Sequence, residues 1–221
     1  GVRQTDNLYT LKNTSETTNL TVTKKWDDAN DQDGIRPRKM IAIVVGSNGN
    51  RHEVPLHSSG DWHYTCDDLV KYWKNGQLVD YTVEAVTIDG YTSEVKSLGN
   101  NVFEVHNTHI PETISKTVTK TWKDNENQDG IRPASVTVTL TGSNAVSKTA
   151  TLNEDNGWTA TFENLPKRDH GNIVAYNVKE SDTAGYEASV VKTEDGFQLI
   201  NEHDSETTMR TVTLVWRDED N

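Results

Sequence analysis

The chain contains itself twice, and nothing else in the sequence constrains the fold as strongly. Val22-Thr23-Lys24-Lys25-Trp26-Asp27-Asp28 is followed by Gln32-Asp33-Gly34-Ile35-Arg36-Pro37. The same pattern returns as Val118-Thr119-Lys120-Thr121-Trp122-Lys123-Asp124 and Gln128-Asp129-Gly130-Ile131-Arg132-Pro133. Trp62 and Trp158, Leu69 and Leu165, Tyr81 and Tyr176, Gly90-Tyr91 and Gly185-Tyr186, and Asn107 and Asn201 keep nearly the same spacing. Self-similarity of this kind marks units built to one plan, and 221 residues hold two units of about 100 residues each. Leu8-Tyr9-Thr10-Leu11-Lys12-Asn13 matches the end of a preceding copy, and Thr211-Val212-Thr213-Leu214-Val215-Trp216 matches the start of a following one. The expected division is therefore 1–16 as the last strand of a preceding repeat, 17–110 and 111–205 as two domains, and 206–221 as the first strand of another repeat, an excerpt from a longer array.

Within each copy apolar residues alternate with polar ones over short stretches bounded by turn residues, which is the pattern of half-buried strands. The alternation predicts about seven antiparallel strands per copy. In the first they lie near 21–27, 39–46, 51–57, 61–67, 78–86, 91–97 and 101–108. In the second they lie near 117–123, 134–141, 146–152, 157–163, 174–180, 186–192 and 196–201. Abundant threonine with valine, tyrosine and tryptophan favours strand over helix. Short strands must each bury one face against a partner sheet, which predicts an all-β fold of tandem Greek-key β-sandwiches, immunoglobulin-like or prealbumin-like. Ile110-Pro111-Glu112-Thr113 reads as the linker.

Charge and composition remove several function classes. The 22 basic and 34 acidic side chains give a net charge of −12, which repels nucleic acid and anionic membranes. There is no apolar run of about 18 residues to insert into a membrane, and the opening Gly1-Val2-Arg3-Gln4 lacks the plan of a signal peptide. Cys66 is the single cysteine, so no internal disulfide can form, and its alignment with Phe162 predicts a buried, inert thiol. The paired tryptophans read as core packing, with Trp73 alone outside the repeated set. The acidic loops Asp27 to Gly34 and Asp124 to Gly130 resemble calcium loops. With Gly34 and Gly130 at the sixth position, however, the first and twelfth are Ala29 and Met40, and Asn125 and Val136, so structural turns are expected, with weak calcium binding as the alternative. The histidines share no metal spacing, and no cofactor is expected.

Strand parity turns scattered polar residues into a site. Val118, Lys120 and Trp122 share one face of the first strand of the second copy; Tyr176, Val178 and Glu180 share a face of a later strand; Phe197, Leu199 and Asn201 share a face of the last. Lys120, Glu180 and Asn201 are thus expected to point into the core, where polar groups without partners are costly.

The Lys-x-Trp opening, the Tyr-x-Val-x-Glu strand, the following Gly-Tyr and the closing Asn107-Thr108-His109 resemble the B-type repeat domains of collagen adhesin and related Gram-positive adhesins and pilins. The resemblance covers essentially the whole chain. It implies an intramolecular isopeptide bond between a first-strand lysine and a last-strand asparagine, assisted by an acid: Lys120, Asn201 and Glu180 in the second copy. Burial disfavours the charged forms of amines and carboxylic acids alike, leaving a nucleophilic amine and a proton to polarise the carboxamide, and proximity makes the slow amide exchange feasible. The first copy departs from the pattern. Lys24 and Asn107 keep their places, but Ala85 stands where Glu180 does and parity points Glu84 outward. Lys24 and Asn107 are expected near each other but unlinked, or linked slowly through another acid, unless a bulge turns Glu84 inward.

The expected function is a structural stalk segment of a cell-wall-anchored surface protein, extracellular, with neighbouring repeats of the same chain as its first partners. An enzyme acting on an external substrate has little support. The alternative is a ligand-binding adhesin module contacting a host extracellular matrix protein, which a large exposed apolar patch would favour.

Overall fold

A computed structural model of the chain describes residues 16–217. The segment read as the end of a preceding copy, Leu8 to Asn13, lies outside them. The chain divides into two compact units that join in sequence at Pro111 and Glu112, here domain 1 and domain 2. Helix among the described residues is limited to two short 3-10 turns, Ser58–Gly60 and Lys74–Gly76.

Domain 1 runs β1 (Thr17–Asp27), β2 (Lys39–Gly46), β3 (Arg51–His57), β4 (His63–Val70), β5 (Tyr72–Trp73), β6 (Gln77–Leu78), β7 (Tyr81–Ala85), β8 (Thr92–Gly99) and β9 (Val102–Thr108). Domain 2 repeats the plan as β10 (Thr113–Lys123), β11 (Ser135–Gly142), β12 (Ser147–Asn153), β13 (Thr159–Pro166), β14 (Arg168–Asp169), β15 (Asn172–Ile173), β16 (Tyr176–Glu180), β17 (Glu187–Lys192) and β18 (Gly196–Glu202). Each domain has a four-stranded sheet, ordered β4-β1-β9-β8 or β13-β10-β18-β17, and a three-stranded sheet, ordered β3-β2-β7 or β12-β11-β16. The all-β sandwich class is as expected. Residues 203–217, which include the segment read as the start of a third copy, form neither helix nor strand.

Alternation builds the core directly. On β1 the buried positions are Leu20, Val22 and Lys24, every second residue, and on β11 they are Val136, Val138 and Leu140. These inward faces meet those of the opposing sheet, with Leu56, Val83 and Val105 in one domain and Leu152, Leu165 and Leu199 in the other. Burial of each such side chain contributes about 1.5–3 kcal/mol before the entropy of ordering is set against it.

The structure corrects the all-antiparallel expectation in one respect that matters for function. The first and last strands of each domain, β1 with β9 and β10 with β18, are central neighbours that run parallel. Side-chain alternation has the same period in both ladder types, so it cannot report strand direction. The consequence is that the chain enters each domain at one end of this ladder and leaves at the other. The first strands also begin earlier than expected, because register shifts at Thr18/Leu20 and Ile114/Lys116 interrupt the alternation.

Candidate functional site

Three strands from both sheets of domain 2 each bury one polar side chain in its core. In the parallel ladder Lys120 pairs with Leu199 and Trp122 with Asn201. Glu180 ends β16 in the opposing sheet, where it pairs with Val138. Lys120, Glu180 and Asn201 are all buried, the last completely. Lys120 Nζ lies 3.0 Å from Glu180 Oε2, a close ion pair. Lys120 Nζ and Glu180 Oε2 are thus satisfied only by each other, while Glu180 Oε1 and both polar atoms of the Asn201 amide have no hydrogen-bond partner. A buried polar group in that condition costs about 1–3 kcal/mol, and native interiors hold few of them. Burial lowers the Lys120 pKa, and the Glu180 carboxylate offsets only part of that shift.

The amine rests on an aromatic platform. Lys120 Nζ stands 4.5 Å from the Trp122 ring centroid, and the Arg132 guanidinium carbon lies 5.5 Å from the same centroid. Trp158 and Tyr186 pack edge-on to Trp122 at 5.1 and 5.0 Å. Arg132 is fixed in turn by Asp124, to which it donates from Nε at 2.9 Å and Nη2 at 2.6 Å. Tyr186 donates to the same carboxylate at 2.8 Å. Asp124 is almost fully buried, and the Arg132 contacts, opposed by burial, hold its pKa near about 2. Burial and the Asp124 charge push Tyr186 up to about 12.

Domain 1 repeats this support with Asp28, Arg36, Tyr91 and Trp26. Arg36 donates to Asp28 from Nε at 2.9 Å and Nη2 at 2.5 Å, and Tyr91 donates at 2.8 Å. Burial is the largest single influence on Asp28 and raises its pKa, but Arg36, the Asp31 N–H and Tyr91 together outweigh it and bring the value to about 2. Each acidic loop is organised around an arginine guanidinium, and among the described residues no group of three or more metal-type ligands forms. Sequence reasoning missed this network, although Arg36-Pro37, Gly90-Tyr91 and their counterparts recur in both copies.

What domain 1 lacks is the acid. Ala85 occupies the Glu180 position, paired with Ala42 in an unbroken register, so no bulge turns its neighbour inward. Glu84 is exposed and paired with Arg51 at 2.5 Å. Lys24 and Asn107 are nonetheless buried. Lys24 Nζ donates to the Lys25 carbonyl at 2.5 Å and stands 3.8 Å from the Trp26 centroid; Trp26 pairs with Asn107 across the ladder. Burial draws the Lys24 pKa down to about 7, with Asp28 opposing and Arg36 assisting. The Asn107 carboxamide oxygen accepts a hydrogen bond from Ser93 Oγ at 3.2 Å, while its Nδ2 has no partner.

Of the remaining candidates, Cys66 is buried and its thiol pKa is raised by burial and Asp67, which suits an unreactive core residue. Trp26 and Trp62 pack edge-on at 5.1 Å, and Trp73 is partly exposed on β5. Among the described residues no helix is long and apolar enough to cross a membrane.

Comparison with known proteins agrees with this construction. The model of the Cna protein B-type domain matches residues 20–108 and again 116–202. The collagen adhesin of Staphylococcus aureus is 36% identical over 216 residues, covering 96% of this chain and 18% of that protein. The crystal structure of two B repeat units (B1B2) of the S. aureus collagen-binding protein aligns with a TM-score of 0.76 at 34% identity, covering 85% of this chain and 49% of that one. Two family matches spanning most of the sequence, together with this relative, show that the chain belongs to the Cna protein B-type domain family as a tandem pair of repeats.

Proposed function

We propose that the chain is a stalk segment of an extracellular, cell-wall-anchored bacterial adhesin, and that domain 2 locks itself with an isopeptide bond between Lys120 and Asn201. The observation that carries this reading is a buried Lys120–Glu180 ion pair in the same core as the buried Asn201 amide, whose polar atoms have no hydrogen-bond partner. The exchange consumes or satisfies each of these groups. Glu180 takes a proton from the adjacent ammonium, leaving a neutral amine and a carboxylic acid. The amine attacks Asn201 Cγ while the acid polarises Oδ1, and the departing nitrogen takes up one proton from Nζ and one from Glu180 and leaves as ammonium. The new amide N–H is left beside the Glu180 carboxylate, in place to donate to it.

Topology explains why such a bond suits a stalk. Tension enters domain 2 along β10 and leaves along β18, and these are neighbouring parallel strands. A link from Lys120 to Asn201 carries the load straight from one to the other, so the strands between them are bypassed. The test is the intact mass of the freshly prepared, denatured chain: loss of one ammonia in wild type and none in Glu180→Gln supports the bond, whereas an unreduced wild-type mass removes it.

A second reading, a ligand-binding module, is favoured by one feature of domain 1. A groove of about 710 Å³ is lined by Met40, Ile41, Pro55, Val86 and Ile88. Domain 2 places Val136, Thr137, Thr151, Ser181 and Thr183 at these positions. Immobilised collagen is the ligand to try, given the relative's name, and binding lost in Ile41→Thr with Val86→Ser would support this use of the groove.

A further inference from the structure

The two domains differ at their polar clusters by a reciprocal exchange. Domain 2 has Glu180 on β16 and Ala188 on β17; domain 1 has Ala85 on β7 and Ser93 on β8. Ala188 pairs with Asn201 and Ser93 with Asn107, so the hydroxyl appears next to the asparagine in the domain that has lost the acid. We infer that Ser93 is the catalytic hydroxyl of a second, acid-free cross-linking site that joins Lys24 to Asn107. The inference deepens the proposed function and rests on that reading of the Lys-Asn arrangement.

The geometry supplies a hydroxyl donor, an unheld leaving group and an amine on the residue paired with the asparagine. Ser93 Oγ donates at 3.2 Å to Asn107 Oδ1, the atom on which negative charge develops during attack. Asn107 Nδ2, the leaving nitrogen, is held by nothing. Lys24 reaches along β1 until its Nζ stands over Trp26, the residue paired with Asn107. Donation of one N–H to the Lys25 carbonyl leaves the lone pair of a neutral amine free. Asp28 and Arg36 are the charged groups acting on Lys24, and Asp28 is already committed to Arg36 and Tyr91.

The step balances without a co-reactant. The Nζ lone pair forms a bond to Asn107 Cγ, and the carbonyl electrons move onto Oδ1, which the Ser93 hydroxyl stabilises. The Cγ–Nδ2 bond then breaks as one Nζ proton passes to Nδ2, releasing ammonia. Absence of a general acid slows the exchange relative to domain 2 by about 10²–10⁴-fold. Removal of the single hydroxyl donor slows it by a further 10²–10³-fold, roughly.

The experiment is digestion of the full chain, sampled over days in mildly alkaline buffer, with mass spectrometry of the cross-linked peptides so that each domain is read separately. The expected result is a Lys120–Asn201 peptide complete at the outset and a Lys24–Asn107 peptide that accumulates with time. Accumulation should disappear in Ser93→Ala and survive in Ser93→Thr. Alanine is what domain 2 carries at this position, and an unmoved domain 1 unfolding transition reports that the variant domain is folded. No Lys24–Asn107 peptide after days, or equal accumulation in Ser93→Ala, overturns the inference. A domain 1 peptide without a domain 2 peptide would sink the domain 2 bond and leave this site standing.

Discussion

Domains 1 and 2 share a ladder, a register and a supporting network, yet differ at the two positions that decide whether amide exchange has an acid. Lys24 and Lys120 both lie on a tryptophan, and both tryptophans have an arginine carbon 5.5 Å from the ring centroid. Asn107 and Asn201 are both fully buried at the same place on the last strand. The comparison separates scaffold from chemistry. The strand ends, the aromatic platform and the Asp-Arg-Tyr network bury an amine and an amide in both domains, and on the proposed reading a third side chain from another strand sets the rate at which they react. Covalent locking can then vary from repeat to repeat without altering the fold.

The largest effect should come from disarming the armed domain. Glu180→Gln removes the acid, and with the bond absent the segment between Lys120 and Asn201 is no longer a closed loop. By the loop-closure argument used for disulfides, domain 2 should lose about 4 kcal/mol of stability, with a further loss from the stranded amine. Denaturant unfolding of the variant should show the domain 2 transition moving down while that of domain 1 stays in place. The reverse experiment is Ala85→Glu with Ser93→Ala, which gives domain 1 the residues of domain 2. It should form the Lys24–Asn107 bond as completely as domain 2 forms its own and gain stability of the same order. If the bond does not form, the difference between the domains lies elsewhere than in this exchange.

A smaller effect tests the shared scaffold. Replacing Arg132 by leucine in the Glu180→Gln background, where no cross-link masks the result, leaves Asp124 buried without its bidentate partner. The expected cost is about 3 kcal/mol, and Arg36→Leu should cost domain 1 a similar amount. A much larger loss in one domain than in the other would mean that the two networks are not equivalent.

Much of this was legible in the sequence because alternation fixes side-chain direction wherever one face is buried. Lys120, Glu180 and Asn201 each follow apolar neighbours of the same parity, and that sufficed to place them in the interior. The short pairs β5 with β6 and β14 with β15 were not legible, since two-residue strands carry no period. Nor was Ser93. It sits on an edge strand that is largely exposed, and only its pairing with Asn107, a matter of register between strands, gives it a role. The Asp-Arg-Tyr network escaped for a related reason: Asp28 and Tyr91 are far apart in sequence and meet only once β1 and β8 are set on either side of β9.

The smallest effect is the pH dependence over the first unit above neutrality, about 1 kcal/mol, and it distinguishes a free Lys24 from a linked one. His109 and His203 each contact a carboxylate, Asp33 and Asp129, and each is raised above the usual histidine value. Their contribution is therefore fully present below pH 6.5 and lost as pH rises through the folded values, in the same direction in both domains. Lys24 has the opposite sign. Its pKa falls from 10.5 to about 7 on folding, so between those values the unfolded chain binds more protons than the folded one and stability rises with pH. If Lys120 is an amide, as proposed, domain 2 has no such limb. The difference between the unfolding transitions of domain 1 and domain 2 should widen in favour of domain 1 from neutral to alkaline pH when the chain is fresh. It should then flatten as Lys24 is consumed on standing, and in Ser93→Ala it should keep its slope indefinitely.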